Sequence, residues 1–177
     1  VGVNMKTKEI FEANYDFAKA KSAFIFKTIV DPFIGKYSMI KIASGVIKSD
    51  DTLYNEARDE EDRISKLYVF EGSRPIEVKE LHAGDIGAIG KLDAATGDTL
   101  STKANPIAYG KIEVSTPYTY KRYRAKLKGE EDKVAQALAK MAQEDLTIKV
   151  VNDGENRQTL LYGMGDQHLD IIASQLL

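Results

Sequence analysis

From Ala23 to about Pro106 the chain is a succession of short apolar or alternating runs separated by Gly, Asp and Pro. The runs AFIFKTIV, YSMIKIAS, DTLYNEAR, DRISKLYVF, IEVKEL, IGAIGK and DTLS follow one another at fairly even spacing. Such a rhythm predicts an all-β barrel or sandwich. Asp31-Pro32 and Ser49-Asp50-Asp51 are turn formers, and Gly84-Asp85 and Gly97-Asp98 each precede a strand-like run. Gly45 lies between two apolar runs, where a bulge or a close backbone approach is expected.

Beyond Asn105-Pro106 the pattern changes. Residues 112–128 read as extended and amphipathic, and Glu130–Gln143 as a helix with Val134, Leu138 and Met141 on one stripe. Leu146–Val151 and Gln158–Tyr162 read as strands flanking the turn signal Asn152-Asp153-Gly154. A second helix is expected from near Gln167, with Leu169, Ile172 and Leu176 on one face. The order β-α-β-β-α is a split α+β pattern, one strand short of a ferredoxin-like unit. Two domains are therefore expected: an all-β barrel over residues 22–110 and an α+β ferredoxin-like domain over 111–177. Residues 1–21 show no sustained period and read as a linker, with at most a short helical turn. The chain opens at Val1 and closes at Leu177 inside an apolar pattern, as expected of a piece of a longer protein.

Composition narrows the function classes. Among 177 residues the formal net charge is -2, which argues against nucleic-acid binding by bulk charge but not against a local basic face. The absence of cysteine excludes disulfides and thiolate zinc sites, and fits a reducing compartment. No apolar run approaches the ~20 residues of a membrane span, so no membrane partner is expected. A metal site is not expected either, because His82 and His168 fall in different domains and no other imidazole completes a set. The acidic run Asp59-Glu60-Glu61-Asp62 lacks the spacing and glycine of a calcium loop and reads as a solvated hairpin loop.

Two stretches resemble phosphate cradles and fail in detail. In PFIGKYS, Gly35-Lys36 is followed by Tyr37, and Val30 stands where a P-loop needs its first glycine. In YGMGDQHLDII, Gly163-x-Gly165 is followed by His168 where a dinucleotide fingerprint needs a third glycine. Neither stretch predicts a bound cofactor. The second is expected to be a strand-to-helix corner in which Gly163 and Gly165 permit positive φ and close backbone passage. Asp166 is then expected to cap the helix, and His168 to be a packing or hydrogen-bonding residue. No nucleophilic constellation is present, so no catalytic residue is expected.

One polar stretch survives this weighing. If PYTYKRYRAKLKG is a strand, Tyr118, Tyr120, Arg122, Arg124, Lys126 and Lys128 share a face opposite Tyr123, Ala125 and Leu127. That face is either a platform for phosphates and stacked bases or the solvent side of a half-covered sheet, with cations discouraging edge pairing. Both readings stand on the residues alone.

The stretch FKTIVDPFIGKYSMIKIASGVIKSDDTL resembles the second domain of bacterial elongation factor G, where a D-P-F-x-G turn joins two strands and S-G-x-[IV] follows. LHAGDIGAIGKLDAATGDTL and QTLLYGMGDQHLDII resemble the end of that barrel and the third domain, in the same order. The resemblance implies a translation-factor barrel followed by a truncated third domain. It also implies a cytoplasmic parent that hydrolyses GTP with magnesium in a domain outside this chain and promotes translocation on the ribosome. It makes this chain a monomeric module that contacts small-subunit rRNA, a small-subunit protein and its own GTPase domain. Asp31, Lys36 and Lys41 become barrel candidates for rRNA contact, with Arg122, Arg124, Lys126 and Lys128 as further candidates on the basic strand. Gly45, Gly163, Gly165, Asp166 and His168 become structural or interdomain residues, and the family's GTPase-activating histidine lies outside this chain. The same resemblance implies rotation about the Pro106–Pro117 connection. The basic strand and the NEARDEEDR hairpin depart from the usual pattern. A stand-alone single-stranded RNA-binding module and a ribosome-protection relative are the alternative readings.

Overall fold

The structure is a computed structural model that describes residues 1–33, 35–125, 129–153 and 158–176. It divides into two compact units, Val1–Ile112 and Glu113–Leu177.

Among the described residues the first unit holds thirteen strands. Two short ones, β1 (Gly2–Asn4) and β2 (Ile10–Phe11), precede the long hairpin β3 (Ser22–Asp31) and β4 (Gly35–Ser44). Then come β5 (Val46–Lys48), β6 (Thr52–Asn55), β7 (Glu60–Arg63), β8 (Leu67–Glu71), β9 (Arg74–Val78) and β10 (Glu80–His82). The unit ends with β11 (Ile86–Gly90), β12 (Thr99–Ser101) and β13 (Ile107–Tyr109). Eight of these form one sheet in the order β7-β6-β12-β3-β4-β11-β8-β9, while β10 pairs with β5 and β13 with β1.

Period-two alternation buries Ile25 on β3 and Ile40 and Ile42 on β4. Opposite this hairpin, Leu53 of β6 and Leu67 of β8 come from strands near the two ends of the sheet, yet join the same core. The sheet therefore curls over its own inner face, as the barrel expectation requires. Its curvature has a local cause on β3. Ile25 pairs with Ile40 and Lys27 with Met39, so Phe26 is an extra residue that bends the strand.

The N-terminal segment is folded rather than a free linker. β1 pairs antiparallel with β13, Gly2 opposite Tyr109 and Asn4 opposite Ile107. Residues 16–21 then cross the barrel at Gly45, whose N–H donates to the Asp16 carbonyl at 2.8 Å. Gly45 has φ +71°, and a Cβ there would lie 2.8 Å from the Lys19 carbonyl oxygen. Both the backbone conformation and the crossing chain therefore require glycine. Lys21 closes the strap with a 2.6 Å ion pair to Asp51. Behind it, buried Ser22 bonds Ser44 at 2.6 Å and the Tyr109 hydroxyl at 2.7 Å.

The connection is shorter than the Pro106–Pro117 interval expected from sequence. Pro106 is buried, its carbonyl accepts from the Met5 N–H at 2.7 Å, and β13 follows it directly. Irregular backbone runs instead from Gly110 to Tyr118.

The second unit contains β14 (Thr119–Tyr123), α1 (Glu131–Glu144), β15 (Lys149–Asp153), β16 (Gln158–Gly163) and α2 (Asp166–Gln175). This is the expected β-α-β-β-α order. Its sheet runs β14-β16-β15, antiparallel throughout. Both helices cover one face, where Leu138, Ile148, Leu161, Leu169 and Ile172 form the core. The expected Asn152-Asp153 turn is instead the end of β15, because both residues pair with β16, and Gly154 lies outside the described residues.

Candidate functional site

Three places carry the residues singled out in the sequence, the first being the β3–β4 hairpin tip. Asp31 organises it by accepting the Phe33 N–H at 2.8 Å, and Gly35 turns the chain with φ +101°. The two lysines serve the barrel. Lys36 donates to the Ala94 carbonyl at 2.9 Å, which leaves its ammonium unsuited to cradle a nucleotide phosphate. Lys41 donates to the Gly84 carbonyl, and its ammonium also lies 5.3 Å from the centre of the Tyr15 ring. The residue that sequence reasoning passed over is Phe33, 93% exposed at the tip. The available signal was a phenylalanine placed directly after a turn-forming Asp-Pro, where no inward direction exists to bury it.

The second place is the glycine corner between β16 and α2. His168 receives the Met164 N–H on Nδ1 at 3.1 Å, and its Nε2 lies 3.0 Å from Asp145 Oδ2. These bonds place the ring proton on Nε2, donating to the carboxylate. Burial opposes the charge on Asp145. The Thr147 hydroxyl and N–H, together with His168, outweigh it and hold the carboxyl below its ordinary range. Asp145 is also the residue that ends α1, so the pair ties the end of one helix to the start of the next. This arrangement orients helices and presents no reactive group.

Two expectations at this corner are corrected. Asp166 does not cap α2: Gly165 holds the capping position, and among the described residues no side chain bonds a free N–H there. The helix starts one residue early, so Asp166 is its first residue and its carboxylate lies 4.0 Å from Lys121. It still favours the positive end of the helix dipole. Neither Gly163 nor Gly165 occupies the left-handed region that favours glycine. Gly163 is needed for space alone, since a Cβ would fall 2.8 Å from Leu169 and 3.0 Å from His168 Nδ1, whereas Gly165 has nothing within 4 Å.

The third place is the basic strand. β14 stops at Tyr123, so Arg124 is exposed beyond its end and the stripe is shorter than the sequence period suggests. Lys126 and Lys128 lie outside the described residues. Within the strand, register separates two faces. Lys121 is opposite the buried Leu161, on the helix side, and bonds Asp170 of α2 at 2.5 Å. Tyr120 and Arg122 are opposite Tyr162 and Leu160, on the side the helices leave open. The Tyr120 and Tyr162 rings lie 5.1 Å apart at 36°.

The acidic run also differs from expectation, because Glu60–Arg63 is strand β7 and not a loop. Its acids meet cations of the chain, Arg58 with Glu60 at 3.1 Å and Lys103 with Glu61 at 3.2 Å. Arg58 also forms a bidentate bond to Asp93. Burial, then the charges of Glu60 and Asp93, push the Asp62 carboxyl up, with Arg58 opposing. Among the described residues no three His, Asp or Glu side chains converge as metal ligands. Among them, too, no helix is long and apolar enough to cross a membrane.

Against this geometry stand the comparisons with known proteins. Residues 20–103 match the family described as elongation factor G domain 2, and residues 114–177 match elongation factor G domain III. A crystal structure of a Thermus thermophilus protein superposes with a TM-score of 0.77 at 28% identity, covering 89% of this chain and 24% of the other. The chain thus spans about a quarter of the length of that relative.

Proposed function

We propose, from the premise that this chain belongs to the elongation factor G family and comprises its domains 2 and III, that it is the ribosome-contacting and signal-coupling module of a translational GTPase promoting translocation. The observation that carries this reading is the succession of the two domain matches, each falling on one compact unit. GTP and magnesium belong, on this reading, to a GTPase domain outside these residues.

The barrel's share of the contact falls to the β3–β4 tip. There Phe33 is presented to solvent by an Asp31-centred turn, and Lys36 and Lys41 stiffen the surrounding strands through backbone carbonyls. An apolar ring held out to solvent beside an Asp31-centred turn suits a groove formed by small-subunit rRNA or a small-subunit protein. The second unit contributes the corner where Asp145 and His168 lock α1 to α2, a firm element for transmitting the nucleotide state.

The test is co-sedimentation of the 177-residue chain with isolated small ribosomal subunits. The chain should pellet with them, and Phe33→Ser should weaken that association about tenfold while changing stability by less than about 0.5 kcal/mol. A chain that stays in the supernatant, or a Phe33→Ser variant that binds unchanged, overturns the assignment of the tip.

A further inference from the structure

The face of the second unit's sheet that the helices leave open is built from three strands, and its composition is specific. Register places Arg122, Leu160 and Val151 in one row, and Tyr120, Tyr162 and Lys149 in the next. Their neighbours Lys121, Leu161 and Val150 lie on the covered face, where Leu161 and Val150 join the core. The open face therefore carries a pair of adjoining tyrosine rings flanked by one guanidinium and one ammonium.

Charge on the two faces is handled differently. Lys121 is neutralised by Asp170 and approached by Asp166. Among the described residues no carboxylate pairs with Arg122, Arg124 or Lys149, and all three are exposed. Among the described residues of β14, β15 and β16, Asp153 is the acid on the open face, two residues beyond Val151 at the far end of β15. In a chain of net charge -2, a locally unneutralised basic face is a concentration of positive potential, not a reflection of composition.

We propose that this open face is a binding site for unpaired RNA. One base stacks on the Tyr120–Tyr162 pair, and the flanking phosphates meet Arg122 and Lys149. Tyr120 is 57% exposed while its ring is braced by Tyr162, so a stacking surface is available and already ordered. Arg122 lies about 7 Å farther along the same strand, the distance between residues on one face. Sheet faces bearing aromatic rings and cations bind single strands through stacking and phosphate neutralisation, with little dependence on sequence. The site is a two-dimensional platform across three strands, and the linear stripe of one strand is only its edge.

The alternation on β14 supplies the internal control. Binding of 5′-fluorescein-labelled decauridylate to the 177-residue chain is followed by anisotropy over a series of salt concentrations. Tyr120→Leu, which keeps apolar bulk and removes the aromatic face, should weaken binding about fivefold or more. Arg122→Gln should weaken it and reduce the salt slope by about 1. Lys121→Gln removes the same charge one residue away on the covered side and should leave affinity within about twofold. No detectable decauridylate binding overturns the proposal, as does an equal loss from Lys121→Gln and Arg122→Gln, which would mean diffuse attraction without a platform. Ribosomal particles are absent from this assay and Phe33 is on the other unit. The RNA site and the barrel tip can therefore fail separately.

Discussion

The two units solve the same problem with opposite economies of surface. The first curls an eight-stranded sheet over its own inner face and gathers fourteen buried residues into one core, from Ala23 to Leu100. The second lays two helices on one side of three strands, buries a core of five of its described residues and leaves the other side open. The difference decides which cations are available. In the barrel, Lys36 and Lys41 bond backbone carbonyls, so residues that read as surface charges act as braces. On the open sheet, Arg122 and Lys149 are exposed and, among the described residues, meet no carboxylate. Surface chemistry in this chain is legible only once it is known which face of each strand is covered.

The sharpest way to break this comparison is to attack the smaller core. Leu138 is fully buried and is one of the five residues around which α1, α2 and the sheet assemble. Leu138→Ala should cost about 3 to 5 kcal/mol and unfold the second unit while the barrel amides stay protected from hydrogen exchange. Loss of protection in both units together would show that they do not unfold as separate bodies.

Next in size is Gly45, where the N-terminal strap crosses the barrel. Gly45→Ala places a methyl group 2.8 Å from the Lys19 carbonyl at φ +71° and should cost about 2 to 4 kcal/mol in urea unfolding. Gly165→Ala, with extended backbone and nothing within 4 Å, should be nearly neutral. Equal costs at the two positions would remove the distinction between a glycine required by space and one that is not.

The smallest effect concerns the Asp145–His168 tie. Because folding holds the Asp145 carboxyl below its ordinary value, its contribution is complete above an unfolded pKa of about 3.9. It is lost as pH falls through the folded value. Asp145→Asn should therefore lower the stability of the second unit near neutrality and flatten the acid limb of its stability profile. Urea midpoints taken from neutral pH down to about pH 3 report both. An unchanged acid limb would mean that the carboxylate is no more stabilised in the fold than in the unfolded chain.

What was legible in the sequence follows from period and punctuation. The barrel strands alternate over four to ten residues between turn formers, so β3, β4, β6 and β8 could be read directly. β1 and β2 have three and two residues, too few to show a period, and they exist because β13 offers β1 a backbone partner and β1 in turn offers one to β2. The basic stripe was over-extended for the complementary reason. Its side-chain alternation continues past Tyr123, but the paired backbone of β16 reaches only Thr159 there. Asp166 looked like a cap because it follows glycine. However, the helix already includes Asp166, with Gly165 at the capping position, so the carboxylate belongs to the first turn and not to the residue before it.

The pairing of β1 with β13 has a mechanical side. Gly2 stands opposite Tyr109, so the outer ends of these antiparallel strands emerge at the same end of the ladder. A load drawing residues 2 and 109 apart falls first on that pair, then on Val3–Ala108, then on Asn4–Ile107, one step at a time. Strands loaded in this way peel and do not shear, so the clasp yields one residue pair at a time until the pull reaches Asn4 and the fully buried Ile107. The Ser22–Tyr109 hydroxyl bond sits at the mouth of this zip and would be the first side-chain contact to sense the pull.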